Sequence, residues 1–548
     1  MTRRPLVLAA TASLFVAACS DVGGAGSTAS SPAPSVETTD AAATTAPAAT
    51  DPPATEPSTT LPVVPTVSLA VVPLPDHITE VQLPWWTADG RSVVVSARST
   101  EFPGMQIVRV DPDGSNFACL TCAIAEGEPP LMKPIAFDDG QRVLIRIGNQ
   151  TPFTNGDHAV LECTPSVAQC DQAELVPIVV PVDDAVVQPQ REFRVAPGGD
   201  RVGFTQMRTN ARGEPVYVAV VASLRRAEDH YELDDPRVVS HKGELKEFSA
   251  DGSTVYISSF VEGPEAGNGD VVAVDLVTGD ERRITYYPDY DEPVEPSPDG
   301  HWFTVGSART AGLFEAIAQV RRPNVLGAAI SPLALYLFNT YRDELLEPWL
   351  ITAEGEAGGE VGVLLNPGSV ADGWEGRMIP NWNVDGRRIV FWEAAVDSAA
   401  GSADAGSRLV VATVDGLGEP GPAATVTSPD LTWAPTLTGF VPPADLPASR
   451  EGLVSGSMEV VVTDGDELSI TVTYTGFSDG DELVLDGTET ITNAGGPTGS
   501  LTYTADITVS GGHSGYLRAT GVSGTAAGGF TGTVESELDG RTVTLQLG

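Results

Sequence analysis

"VEPSPDGHWFTVGSAR", Val294 to Arg309, reads as a strand, a tight turn and a second strand. Asp299-Gly300 stands between the two runs, and Gly accepts the positive φ that a tight hairpin demands. The same shape returns in "LPWWTADGRSVVVSAR" (Leu83–Arg98), "KEFSADGSTVYISSF" (Lys246–Phe260) and "IPNWNVDGRRIVFWEA" (Ile379–Ala394). Further turns fall at Asp139-Gly140 and, in a degraded copy, in "VAPGGDRVGF" from Val195 to Phe204. Until the last copy they recur about every 50 to 60 residues, a period that means a solenoid or a propeller. The interior of one unit decides between them. Between Asn268 and Ser307 four short strands are predicted, near Val271–Asp275, Arg282–Thr285, Val294–Pro296 and His301–Gly306. Four antiparallel strands per unit make one propeller blade. Trp86, Phe248 and Trp382, three residues before their Asp, are predicted to wedge between blades.

"WWTADGRSVVVSAR…QIVRVDPDGSNFACLT", "SPDGHWFTV", "DVVAVDLVTGDERRIT" and "WNVDGRRIVFW" resemble the WD40-like repeat of TolB-type propellers. The resemblance runs over roughly residues 70–445 in six copies. It implies an all-β, six-bladed propeller over residues 66–445, and it implies little about function, because this fold hosts binders, enzymes and scaffolds. The α/β domain that precedes the propeller in TolB itself is missing here, so the Tol–Pal partnership does not transfer.

The 548 residues carry a formal charge of −43, and few of the acids precede residue 66. Such a surface repels phosphate backbones and anionic head groups, which argues against nucleic-acid binding. Lysine occurs only at Lys133, Lys242 and Lys246, which reads as a bias of genome composition. The N-terminus, "MTRRPLVLAATASLFVAAC", has a basic start and a short apolar run. It reads as a signal peptide over residues 1–18. "VAAC" resembles the bacterial lipobox, which implies lipidation of Cys19 and a protein held at the outer face of the cell membrane through that anchor alone. Residues 19–65 are Ala, Pro, Ser and Thr, too poor in large side chains to offset ordering entropy. They are expected to form a tether reaching roughly 40 Å.

Asp299 and Asp385 are 86 positions apart, so the fifth blade holds an insertion over about 308–347. Its apolar run, "AAISPLALYLFNTYRDELL", is expected to form short helices or a hairpin, and an insertion of this length is the first choice for a partner or ligand surface. A cap packed on the propeller is the other reading. Of the four cysteines after Cys19, Cys119 and Cys122 stand three apart, and Cys163 and Cys170 flank a hairpin end. Disulfides are expected in an exported chain, most simply as Cys119–Cys122 and Cys163–Cys170, although four cysteines allow three pairings and Cys-x-x-Cys is also a zinc spacing.

No cofactor motif appears: the six histidines are scattered, and no phosphate-binding Gly loop follows a strand. "GGHSGY" lacks the last Gly of a hydrolase elbow, with Tyr516 in its place. The acids Asp289, Asp291, Glu292 and Glu295 read as a solvated loop before a calcium site. From about Arg450 the period changes, and two "DGDEL" turns with alternating strands predict a small antiparallel β domain over residues 451–548, a sandwich or barrel. The sequence therefore reads as a lipid-anchored propeller that binds an unidentified protein or small molecule. The alternative is a propeller enzyme, a hydrolase or lyase with an acidic site at the central channel, acting with or without a bound cation.

Overall fold

The Asp-Gly turns join their strands as expected. Gly90, Gly140, Gly252, Gly300 and Gly386 have φ of +65°, +67°, +73°, +71° and +64°. In each turn the Asp Oδ1 accepts the N–H two residues on, from Arg91, Gln141, Ser253, His301 and Arg387. The side chain thus fixes the turn that the glycine permits. The computed structural model describes residues 65–148, 156–211, 213–260, 263–340, 346–356, 361–395, 406–418, 421–443, 447–465, 467–480 and 482–548. Cys19, the leader and nearly all of the tether lie outside these residues. No helix among those described is long and apolar enough to cross a membrane.

The protein is all-β. Three four-stranded antiparallel sheets begin at the strands Ile78–Trp86, Glu244–Phe248 and Asp291–Pro296. An eight-stranded sheet falls into two antiparallel halves, beginning at Leu131–Ala136 and Val186–Val195 and joined by a short parallel pairing, Tyr231↔Ile178 and Glu232↔Val179. The remaining repeat sheet gathers Trp374–Gly376, Asn381–Trp382, Arg388–Ala395 and Ser407–Asp415. Its outer strand is Thr66–Val71, with Thr66 opposite Asp415, so the start of the described body closes its last repeat. Ile78–Trp86 touches Leu131–Ala136, Val186–Val195 touches Glu244–Phe248, Glu244–Phe248 touches Asp291–Pro296, and Asn381–Trp382 touches both Asp291–Pro296 and Ile78–Trp86. Trp86 packs with Val390 and Leu409 of the last repeat, Phe248 with Val221 of the third, and Trp382 with Leu350 and Leu365 of the fifth. All three aromatics are wedges between sheets, as predicted.

The C-terminal strands form one eight-stranded meander from Arg450–Glu451 to Arg541–Leu547. This differs from the expected self-contained sandwich or barrel. Alternate residues of Ser500–Gly511 point in and out, with Leu501, Tyr503, Ala505, Ile507 and Val509 buried. The apolar face they form has no second sheet of its own. It closes over the insertion, whose helices Glu315–Ala318 and Ser331–Thr340 share one core cluster with it. Arg322 is the central bond of that joint. It is fully buried and reaches Glu489 at 2.9–3.1 Å, with Tyr503 Oη at 3.1 Å. The insertion is therefore no free partner surface: Leu326, Leu333, Leu337 and Phe338 are buried. The reason is physical, since a one-layer sheet needs an apolar counterface and the insertion supplies it.

Met105, Met132, Met207, Met378 and Met458 belong to that cluster. They are all the methionines after Met1. The first four lie at strand ends away from the Asp-Gly turns, so the insertion and the C-terminal sheet cap that end of the ring. Flexible thioethers suit an irregular joint of this kind. After Asp415 the chain runs along the opposite end: Gly421 N–H donates to Asp299 Oδ2 (3.0 Å) and Thr427 N–H to the Asp251 carbonyl (2.7 Å). It then climbs the third repeat, where Phe440 O accepts from Arg208 Nε (3.0 Å).

Candidate functional site at the centre of the ring

The innermost strands carry a ring of polar contacts. Lys133 Nζ meets Glu192 Oε2 at 2.6 Å, and Arg194 Nη1 lies 3.2 Å from the same oxygen. Arg194 Nε lies 3.2 Å from Glu247 Oε2. The Glu247 and Glu295 carboxyls line one crevice together with Arg194. Asn381 Nδ2 donates to Glu295 Oε1 (2.7 Å), and Asn381 Oδ1 accepts the Trp86 amide (2.8 Å). The Lys133 amide donates to Ser96 Oγ (3.1 Å), which returns to the first repeat. The ring passes once through every repeat. A second tier joins Arg191 Nε to Glu244 Oε1 (2.7 Å), Glu244 to Lys246 (2.6 Å), Lys246 to Glu292, and Glu292 to the Tyr290 hydroxyl.

Local backbone places these groups. Leu83, Lys133, Glu192 and Ile379 each take a positive φ, between 51° and 65°, at the same point of their inner strand, six residues before the Asp-Gly turn or its degraded copy. The register of these strands slips at that point, as between Met132 and Ile135 and between Arg191 and Arg194. A bulge re-aims the side chains that follow it.

Burial sets the protonation. It pushes Lys133 down to about 7, helped by Arg194 and opposed by Glu192. Burial also opposes ionisation of Glu192, but Lys133, Lys246 and Arg194 outweigh it and hold that carboxyl well below the usual range. Glu295 is raised far above the usual range by burial and by the Glu247 charge, and Glu247 is raised by burial. Burial and their mutual repulsion thus both work against ionising the two acids together.

Two acids held back from ionising, beside a lysine brought down to about 7, have the composition of acid–base machinery. The space does not match it. The crevice between Arg194, Lys246, Glu247, Glu295, Pro293 and Pro380 has no room for a water-sized sphere. The expected solvated loop is overturned as well. Asp289, Asp291 and Glu292 are buried, Asp291 against Arg309 (2.9 and 3.0 Å) and Glu292 against Lys246. Among the described residues no cluster of three or more His, Cys, Asp or Glu is arranged to hold a metal ion.

The structure carries the Cys119–Cys122 and Cys163–Cys170 disulfides. Cys119 ends its strand and Cys122 stands in the turn beyond. Both bridges lie at the outer edges of the first two repeats, far in the sheet order from the ring. Sequence reasoning missed the ring itself. Two of the three lysines are in it, and their rarity was the available signal.

No protein-family model and no curated protein matches this sequence. Among solved structures the chain is similar to a putative TolB from Agrobacterium tumefaciens, at 14% identity over 52% of this chain and 76% of that one (TM-score 0.32). It is similar to an oligogalacturonate lyase from Vibrio parahaemolyticus, at 9% identity over 64% of this chain and 97% of that one (TM-score 0.35). It is also similar to a puromycin-hydrolyzing peptidase from Mycobacterium tuberculosis, at 14% identity over 72% of this chain and half of that one (TM-score 0.32). TolB-like proteins thus stand among the neighbours, as the repeats implied. Likeness at this level says nothing of activity, and the reading of this fold rests on its own strand pairing.

Proposed function

We propose that this protein is an exported, lipid-anchored, six-bladed propeller that binds a partner at the cell surface and does no chemistry in its channel. The observation that carries this reading is the closed polar ring: its acids and cations are spent on one another in a crevice without room for a solute. Buried pairs of this kind add little net stability but fix one arrangement of the blades. Thr66 enters on the Asp-Gly side, opposite Asp415, while the C-terminal sheet sits at the other end. A tether fixed through Cys19 would then attach to the first side and leave the second facing away. The outer face of the C-terminal sheet, with Thr502, Thr504, Thr508 and Thr520 exposed, becomes the recognition surface in place of the insertion.

Photo-crosslinking on intact cells tests this. A crosslinker at Thr504 should yield a defined adduct that persists in the Glu247→Gln/Glu295→Gln variant. An adduct that disappears with the acid pair, or none from this face while one forms at the Asp-Gly turns, would overturn the assignment.

A further inference from the structure

The two disulfides stand in different settings. In the long hairpin Cys163 is buried and Cys170 half-buried, whereas Cys119 and Cys122 are both half-buried where the outermost strand of the first repeat ends. The two residues between Cys119 and Cys122 are held without the sulfurs. Leu120 N–H donates to the Ile107 carbonyl (2.9 Å). Thr121 Oγ1 donates to Gln106 Oε1 (2.6 Å) and accepts the Ile107 amide (3.0 Å). Opening the bridge leaves these bonds in place, so the sulfurs stay close enough to re-form it, with Cα atoms 5.7 Å apart. The Cys122 amide points at Cys119 Sγ (3.1 Å), a donor that favours a thiolate on that sulfur. Ala123 and Ile124 beside the bridge are exposed, Ile124 by 40%, which gives a partner apolar footing.

We propose that Cys119–Cys122 is a thiol–disulfide exchange site that accepts two electrons from an exported dithiol protein, while Cys163–Cys170 is structural. The partner thiolate attacks Cys122 Sγ, the Cys119–Cys122 bond breaks, and its electron pair leaves on Cys119 Sγ, held by the Cys122 amide. The partner's second thiolate attacks its own sulfur in the mixed disulfide and releases Cys122. The partner departs as a disulfide, and the two protons from its thiols end on Cys119 and Cys122.

The test is a titration of the full oxidised chain with reduced and oxidised glutathione, read by alkylation and mass spectrometry. Cys119–Cys122 should open at a reduced-glutathione concentration about tenfold lower than Cys163–Cys170, with the melting temperature almost unchanged. Cys119→Ser, which removes the leaving sulfur, should accumulate a glutathione adduct on Cys122. The proposal is overturned if the two bridges open together, if opening Cys119–Cys122 lowers the melt as much as opening the other, or if Cys119→Ser takes up no glutathione.

Discussion

Asp289 shows how far burial governs single residues here. It is fully buried, its Oδ1 accepts the Tyr290 and Phe314 amides (2.7 and 3.3 Å), and its Oδ2 has no hydrogen-bond partner among the described residues. Burial raises its carboxyl well above the usual range, and Glu315 and Asp291 add to this. A raised acid contributes stability that is complete below the unfolded value and lost as pH rises through the folded one. Asp289→Asn keeps the Oδ1 acceptor and removes the ionisation. The variant should gain stability relative to the parent progressively as pH rises above about 4, the unfolded value of an aspartate, measured by urea melts. A difference that stays flat with pH would contradict this account of Asp289. Lys133 works with the opposite sign: its folded value of about 7 lies below that of a free lysine, so what it contributes is lost as pH falls through about 7. Lys133→Met should remove that loss on the acid side, because Glu192 keeps Arg194.

Among the elements, the insertion was the one whose role the sequence misplaced. The Asp-Gly turns and the three wedge aromatics were legible because they are local: five residues fix the turn, and a large side chain beside it has nowhere to go but between sheets. The partner of the apolar run in 331–340 was not legible, because its counterface is encoded more than a hundred residues later, in Ile470, Tyr503 and Phe530. The charged ring was hidden for the same reason. Lys133, Glu192, Glu247 and Glu295 come from four repeats, and alternation within one strand does not show that they converge.

The joint between insertion and sheet makes two predictions. Arg322→Met should cost about 3–5 kcal/mol, since it leaves Glu489 buried without its cation. Adding Glu489→Gln should recover more than half of that, as the amide oxygen can accept one of the Tyr474 and Tyr503 hydroxyls, now 2.9 and 3.0 Å from Glu489, while the amide NH2 donates to the oxygen of the other. Equal stability of the single and double variants would show that the pair is not the bond that holds the joint. Deleting residues 308–345 should expose the inner face of the C-terminal sheet and make it a target for limited proteolysis, while the repeats stay resistant. A resistant C-terminal sheet in that variant would mean it needs no counterface.

For the whole molecule, anchoring and closure carry the account. Cys19→Ala should move the protein from the membrane fraction to the soluble fraction or leave an unprocessed precursor, because thioether attachment needs the sulfur. Unchanged retention would remove the anchor from the account. The central claim is that the channel is a closed structural core and no site for chemistry. Native-state hydrogen exchange on the oxidised chain tests it most directly. Amides of the inner strands Leu131–Ala136, Val186–Val195, Glu244–Phe248 and Asp291–Pro296 should exchange no faster than those of the strands that follow them, Arg142–Ile147, Arg201–Thr209, Thr254–Ser259 and Trp302–Ser307. Fast exchange of the inner strands together with helix Ser331–Thr340, while the following strands stay protected, would mean that the cap lifts and the channel opens, and the binding-module reading would give way to an enzyme with its acids at the centre.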